Sequence, residues 1–102
     1  MPIGPLAPPR HAFDPVAEDL AFRLHSGGVA RSLEELEARL AEAPAAVAWY
    51  HRGHFAPWVR DVVGDEGLAR RLEGFAHTPD PEAYRDAVLG VLRTRLAASA
   101  SP

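Results

Sequence analysis

The side chains best suited to chemistry in this chain are histidines. His51 and His54 stand three residues apart in "YHRGHFAPWVRDVVGDEGLARRL", residues 50–72. Imidazoles at i and i+3 share one helical face and can hold a divalent metal. His25 or His77 would then supply a third ligand, and Asp61 or Asp65 a carboxylate. Zinc signatures such as H-E-x-x-H keep their pair inside one unbroken helix, whereas Gly53 intervenes here. The structural alternative makes His54 the N-cap of a helix opening at Phe55, and His51 a partly buried ring bonded to backbone. It asks for less, and the metal reading stands second.

A His51–Asp61 dyad would make a general base, because a carboxylate fixes the tautomer of the histidine it orients. No nucleophile accompanies it: Ser32 is spoken for by helix capping, and Ser26 lies in a turn without G-x-S-x-G context. Asp61 is more simply an ion-pair or cap partner for a neighbouring helix. Gly27-Gly28 ahead of a helix, with Arg31 close by, has too few glycines and no Lys-Ser/Thr pair for a phosphate loop. A hairpin turn accounts for it.

Trp49, Tyr50, Phe55 and Trp58 fall within ten residues. Phe55 and Trp58 are expected in the core. Trp49 and Tyr50 are adjacent, about 100° apart on a helix, so one of them can face outward. An exposed Trp beside Arg52 would make a hot spot for a protein partner or a second copy of the chain. This reading needs the fewest unobserved features, and it leads.

The rest of the composition narrows the classes. One domain of 102 residues supports a core of roughly 15–20 side chains, which a deep substrate cavity would deplete. Net charge is −3, and the eleven basic residues, all arginine, are dispersed, which argues against nucleic acid. The chain has no cysteine, so no disulfide, thiolate ligand or thiol nucleophile. No apolar run approaches a membrane span and no signal peptide is visible, so a cytoplasmic location is expected, with no cofactor.

The elements that position these residues read as follows. Residues 1–15 hold five prolines and no periodicity, and are expected to form a disordered tail. A single helical domain spans 16–98, and 99–102 fray. Phe22 and Leu24 alternate with Arg23 and His25 as a short strand; Ser26-Gly27-Gly28 turns it, and Val29 to Arg31 return. Ser32 and Glu35 form a capping box for a helix with Leu33, Leu36 and Leu40 on one face. A second helix starts at Pro44, and a third carries Phe55, Trp58, Val59 and Val62. Gly64 closes the third and Asp65 caps a fourth, with Leu68, Leu72 and Phe75 inward. Thr78 or Asp80 caps the last helix, whose stripe is Tyr84, Val88, Val91, Leu92 and Leu96. The fold class is mainly α: four or five helices with a short N-terminal hairpin or extended strand.

Two fragments in this order, "FRLHSGGVARSLEEL" and "HFAPWVRDVVGDEGLARRL", resemble a family of small bacterial and archaeal helical domains of unknown function. The resemblance covers roughly residues 21–72. Phe55, Trp58, Asp61, Gly64, Asp65 and Leu68 carry its F-x-x-W-V-x-D-V-x-G-D-x-x-L-A pattern. Family members often have an acidic residue just before the Phe, where this chain has His54. The resemblance implies a small helical fold and no activity.

Overall fold

The computed structural model describes residues 15–100. A 3-10 turn, Glu18–Leu20, leads into strands β1 (Phe22–Arg23) and β2 (Val29–Ala30). Helices α1 (Leu33–Glu42), α2 (Ala45–Tyr50), α3 (Phe55–Trp58), α4 (Glu66–Gly74) and α5 (Pro81–Ala100) follow. The domain is thus mainly α, with five helices and one hairpin. The expected tail falls, but for Pro15, outside the described residues; α5 continues past the expected boundary at 98, through Ala100.

The hairpin pairs Phe22 with Ala30 and Arg23 with Val29 in antiparallel register. Gly27, at φ 106°, takes the left-handed conformation that closes its turn, and the Leu24 amide donates to the Gly28 carbonyl at 2.8 Å. Phe22, Leu24 and Ala30 are buried, so one face of this small sheet is core. Arg31 bonds back to the chain entering the hairpin: its carbonyl accepts from the Val16 amide and its Nε donates to the Val16 carbonyl.

Helix α1 begins as its sequence requires. The Ser32 hydroxyl accepts from the Glu35 amide at 3.1 Å, and Leu33, Leu36 and Leu40 are fully buried. The returning half of the box differs: the Glu35 carboxylate accepts from the Arg31 amide, at 2.8 Å, rather than from Ser32. Asp65 caps α4 by accepting from the Leu68 amide, and Asp80 caps α5 by accepting from the Ala83 amide, with Pro81 as its first residue. Helix α5 packs along α1 and α2; its buried stripe is Tyr84, Val88, Leu89 and Leu92, with Val91 and Leu96 at the margin. Phe75, expected inward, is only half-buried just beyond α4.

The largest departure lies after α3. Expectation put Phe55, Trp58, Val59 and Val62 on one buried stripe; the buried set is Phe55, Ala56, Val59 and Val63. The cause is a π-helical turn over Val59–Val63, in which the Gly64 amide reaches back five residues to the Val59 carbonyl at 2.8 Å. The wider turn brings Val59 and Val63 onto one line and moves Val62 to the margin; Trp58, in the α-helical stretch before it, is half-buried beside Phe55 and Val59. Trp58 there donates its indole N–H to the Leu20 carbonyl at 2.8 Å, tying α3 to the chain ahead of the hairpin. Gly64, at φ 85°, ends the segment. Arg60 then pairs with Glu66 and Glu73, clamping the π turn to α4 and holding the Glu66 carboxyl below its ordinary range, chiefly through the Arg60 hydrogen bond.

Candidate functional site

Helix α2 is six residues long and stops at Tyr50, three residues before Gly53. Residues 51–54 then form one tight turn, in which the His54 amide donates to the His51 carbonyl at 2.7 Å. The turn points the His51 ring inward, where it is 5% exposed. Phe22 from the hairpin meets it edge-on at 5.1 Å, and Phe55 flanks it at 6.0 Å. Phe22 also stacks on Phe55 at 5.1 Å and meets Trp58 edge-on at 5.6 Å, so an aromatic cluster joins the hairpin to the α2–α3 corner.

Both nitrogens of the buried ring are engaged. Its Nε2 accepts from the backbone amide of His25, across the turn of the hairpin, at 2.8 Å. Its Nδ1 lies 3.0 Å from Nδ1 of His54. An amide N–H can only donate, so Nε2 of His51 carries no proton and the neutral ring must be the Nδ1–H tautomer. It follows that His51 donates to His54, and that neutral His54 has its proton on Nε2. The order is therefore fixed from one end: amide to buried ring to exposed ring. Burial first, then the positive fields of His54 and His25, hold the His51 pKa below its ordinary value.

The His25 ring takes no part in that chain. It lies flat against Tyr50, 4.3 Å between centroids at 19°. Tyr50 also meets His51 edge-on at 4.9 Å and remains 53% exposed, so it is an outward-facing ring supported from beneath on two sides. The outward aromatic of the pair is thus Tyr50 and not Trp49. Trp49 is half-buried, edge-on to Tyr84 at 5.8 Å, with the Arg52 guanidinium 4.3 Å over its ring and donating to its carbonyl. Trp49 and Arg52 cover one another, while the fully buried Tyr84 donates to the Arg52 carbonyl. Burial pushes the Tyr84 hydroxyl pKa up to about 12, against a smaller opposing effect of Arg52, so it stays a donor at neutral pH.

The remaining residues singled out in the sequence are dispersed. His54 occupies the N-cap position of α3 but makes no side-chain cap bond, because its Nδ1 is turned to His51. Asp61 is exposed on the π turn and stands outside the imidazole chain. Asp65 caps α4 and ion-pairs with Arg95 at 2.5 Å, and His77 is exposed between α4 and α5. Among the described residues no three His, Cys, Asp or Glu side chains form a metal-holding group. The His51 and His54 Nδ1 atoms do converge, yet ligation through His51 Nδ1 would move its proton to Nε2, facing the His25 N–H donor to donor. Arg31 is held by the Val16 carbonyl beside an ordinary hairpin turn.

Nothing in the sequence marks His25 as an amide donor to His51. The interaction spans 26 positions and uses main chain on one side, so no residue type announces it. The exposed Leu20, whose carbonyl anchors Trp58, left no signal either. Comparison with family models, with curated proteins and with solved structures finds no match.

Proposed function

We propose that this chain is a non-enzymatic interaction domain, recognising a protein partner or a second copy of itself through the surface on which Tyr50 stands. The observation that carries the reading is the exposure of Tyr50, stacked on His25 and edge-on to His51. A large ring already held in one position loses little conformational freedom on binding, and buried tyrosines dominate many interfaces. His25 and His54 flank it as polar rim groups. The immediate surroundings of His51 argue against catalysis: both nitrogens are engaged, and the side chains packed on it are Phe22, Tyr50, His54 and Phe55. Dispersed arginines speak against nucleic acid, and no helix among the described residues is long and apolar enough to cross a membrane.

The test compares wild type with Tyr50→Ala and His25→Ala in sedimentation velocity over a concentration series, and in affinity capture from extracts of the source cells. A self-associated or captured species that both substitutions remove supports the reading; equal behaviour of all three proteins overturns it. Metal binding at His51 and His54 is the weaker reading, because it costs the bond to His25. Elemental analysis of tag-free protein against a His51→Ala, His54→Ala variant decides it: stoichiometric metal lost in the variant would reinstate it.

A further inference from the structure

We propose that the chain from the His25 amide through His51 to His54 is an acid-released latch, which holds the hairpin to the α2–α3 corner only while both rings are neutral. The two imidazoles, both neutral, hold two protons between them, and the observed contacts use one of these in the His51–His54 bond while leaving Nε2 of His51 bare for the amide. A third proton has no place in that pattern. On His51 it occupies Nε2 and opposes the His25 N–H. On His54 it occupies Nδ1 and opposes the His51 Nδ1–H; if His51 then moves its own proton to Nε2 to accept, the His25 bond is lost instead. Either way, one proton breaks one link.

The surroundings offer the cation no compensation. The groups packed on His51 are Phe22 and the His25 amide from the hairpin, Tyr50 from α2, His54 from the corner and Phe55 from α3. The neighbouring Arg52 is drawn away onto Trp49, and the Tyr84 hydroxyl of α5 is spent on the Arg52 carbonyl. The charges bearing on the ring are those of His54 and His25, both of the same sign as the proton it would gain. His25 also carries the ring beneath Tyr50, so release of its backbone loosens the support of the exposed tyrosine. That last consequence rests on the proposed contact surface; the latch does not.

The test is nuclear magnetic resonance of the free full-length protein. Long-range proton–nitrogen correlation at about pH 8 should report the Nδ1–H tautomer for His51. On acidification, the His25 amide shift should follow the His51 ring titration, and its exchange, corrected for the intrinsic rate, should accelerate by about tenfold or more. His54→Asp should shift that transition upward by about one pH unit, since a carboxylate accepts from His51 Nδ1–H and favours the charged ring. His51→Phe should leave the His25 amide insensitive to pH; if that variant does not fold, the first three measurements stand without it. An Nε2–H tautomer at His51, or a His25 amide that stays constant while His51 titrates, would overturn the latch. Because no partner is needed, failure here is separate from failure of the interaction reading.

Discussion

Ser32 and His51 are the buried polar side chains of the described residues, 3% and 5% exposed. They are satisfied in opposite ways. Ser32, at the start of α1, spends its hydroxyl on an amide three positions along its own helix. His51, at the α2–α3 corner, finds one partner three positions away and the other in the hairpin, 26 positions back. The first arrangement is local and neutral, so it survives any pH at which the helix survives. The second joins two elements and depends on where protons sit. A buried polar group therefore stabilises a helix end in one region, and in the other specifies how two elements meet, with sensitivity to acid as the consequence.

The apolar support beneath the His51 corner dominates its stability. Phe55 is fully buried and stacks on Phe22, beneath both the hairpin and the corner. Phe55→Ala should lower stability by about 3–5 kcal/mol in denaturant unfolding, since it loses transfer energy and leaves a cavity. A cost under about 1 kcal/mol would mean that the corner is not packed as described.

Next in size is His51→Phe, which keeps a ring in the aromatic cluster but leaves the His25 amide without an acceptor. The expected loss is about 1–3 kcal/mol at pH 8. The cost should shrink in acid. Burial lowers the folded-state pKa of His51; the unfolded chain thus takes up the proton first, from about pH 6.5 downward. Wild type therefore loses stability as pH falls through this window toward the depressed value, while the phenylalanine variant has nothing there to titrate. Unfolding curves at about pH 8 and pH 5 should converge; parallel curves would remove the pH argument from this half of the comparison. Ser32→Ala follows, with a loss of about 1 kcal/mol. Its cost should be the same at both pH values.

The same contrast explains what was legible in the chain. Caps at Ser32, Asp65 and Asp80, the Gly27 turn and the leucine stripe of α1 are rules within a few residues, and each is present, with only the returning carboxylate of the Ser32 box going to the Arg31 amide instead. The π turn was not legible, because "VRDVV" has the composition of any amphipathic helix and the wider turn is imposed by how it packs and closes at Gly64. That one extra residue in the turn put Val63, and not Val62, in the buried line. At the site, the spacing of His51 and His54 points to shared metal ligation, whereas the two rings meet as a hydrogen-bonded pair whose order turns on a backbone amide that no side-chain pattern encodes. Which of Trp49 and Tyr50 faces outward is illegible for a similar reason: Arg52 is three positions from Trp49, but the cover from Tyr84 on α5 comes from the fold and not from spacing.

The smallest stability effect is expected at the residue that matters most to the proposed function. Tyr50 contributes one exposed ring, so Tyr50→Ala should change stability by about 0.5 kcal/mol or less, against its stacking on His25. A residue conspicuous on the surface yet nearly dispensable to folding is what a contact surface requires, since the ring's apolar area is buried only when a partner arrives. The measurement is the unfolding free energy of Tyr50→Ala beside its sedimentation behaviour. Unchanged stability with lost association would separate Tyr50 from His51, which should cost stability first and association through it. A loss above about 2 kcal/mol would instead assign Tyr50 to the fold, as a lid over the histidine chain, and the contact surface would have to be sought elsewhere.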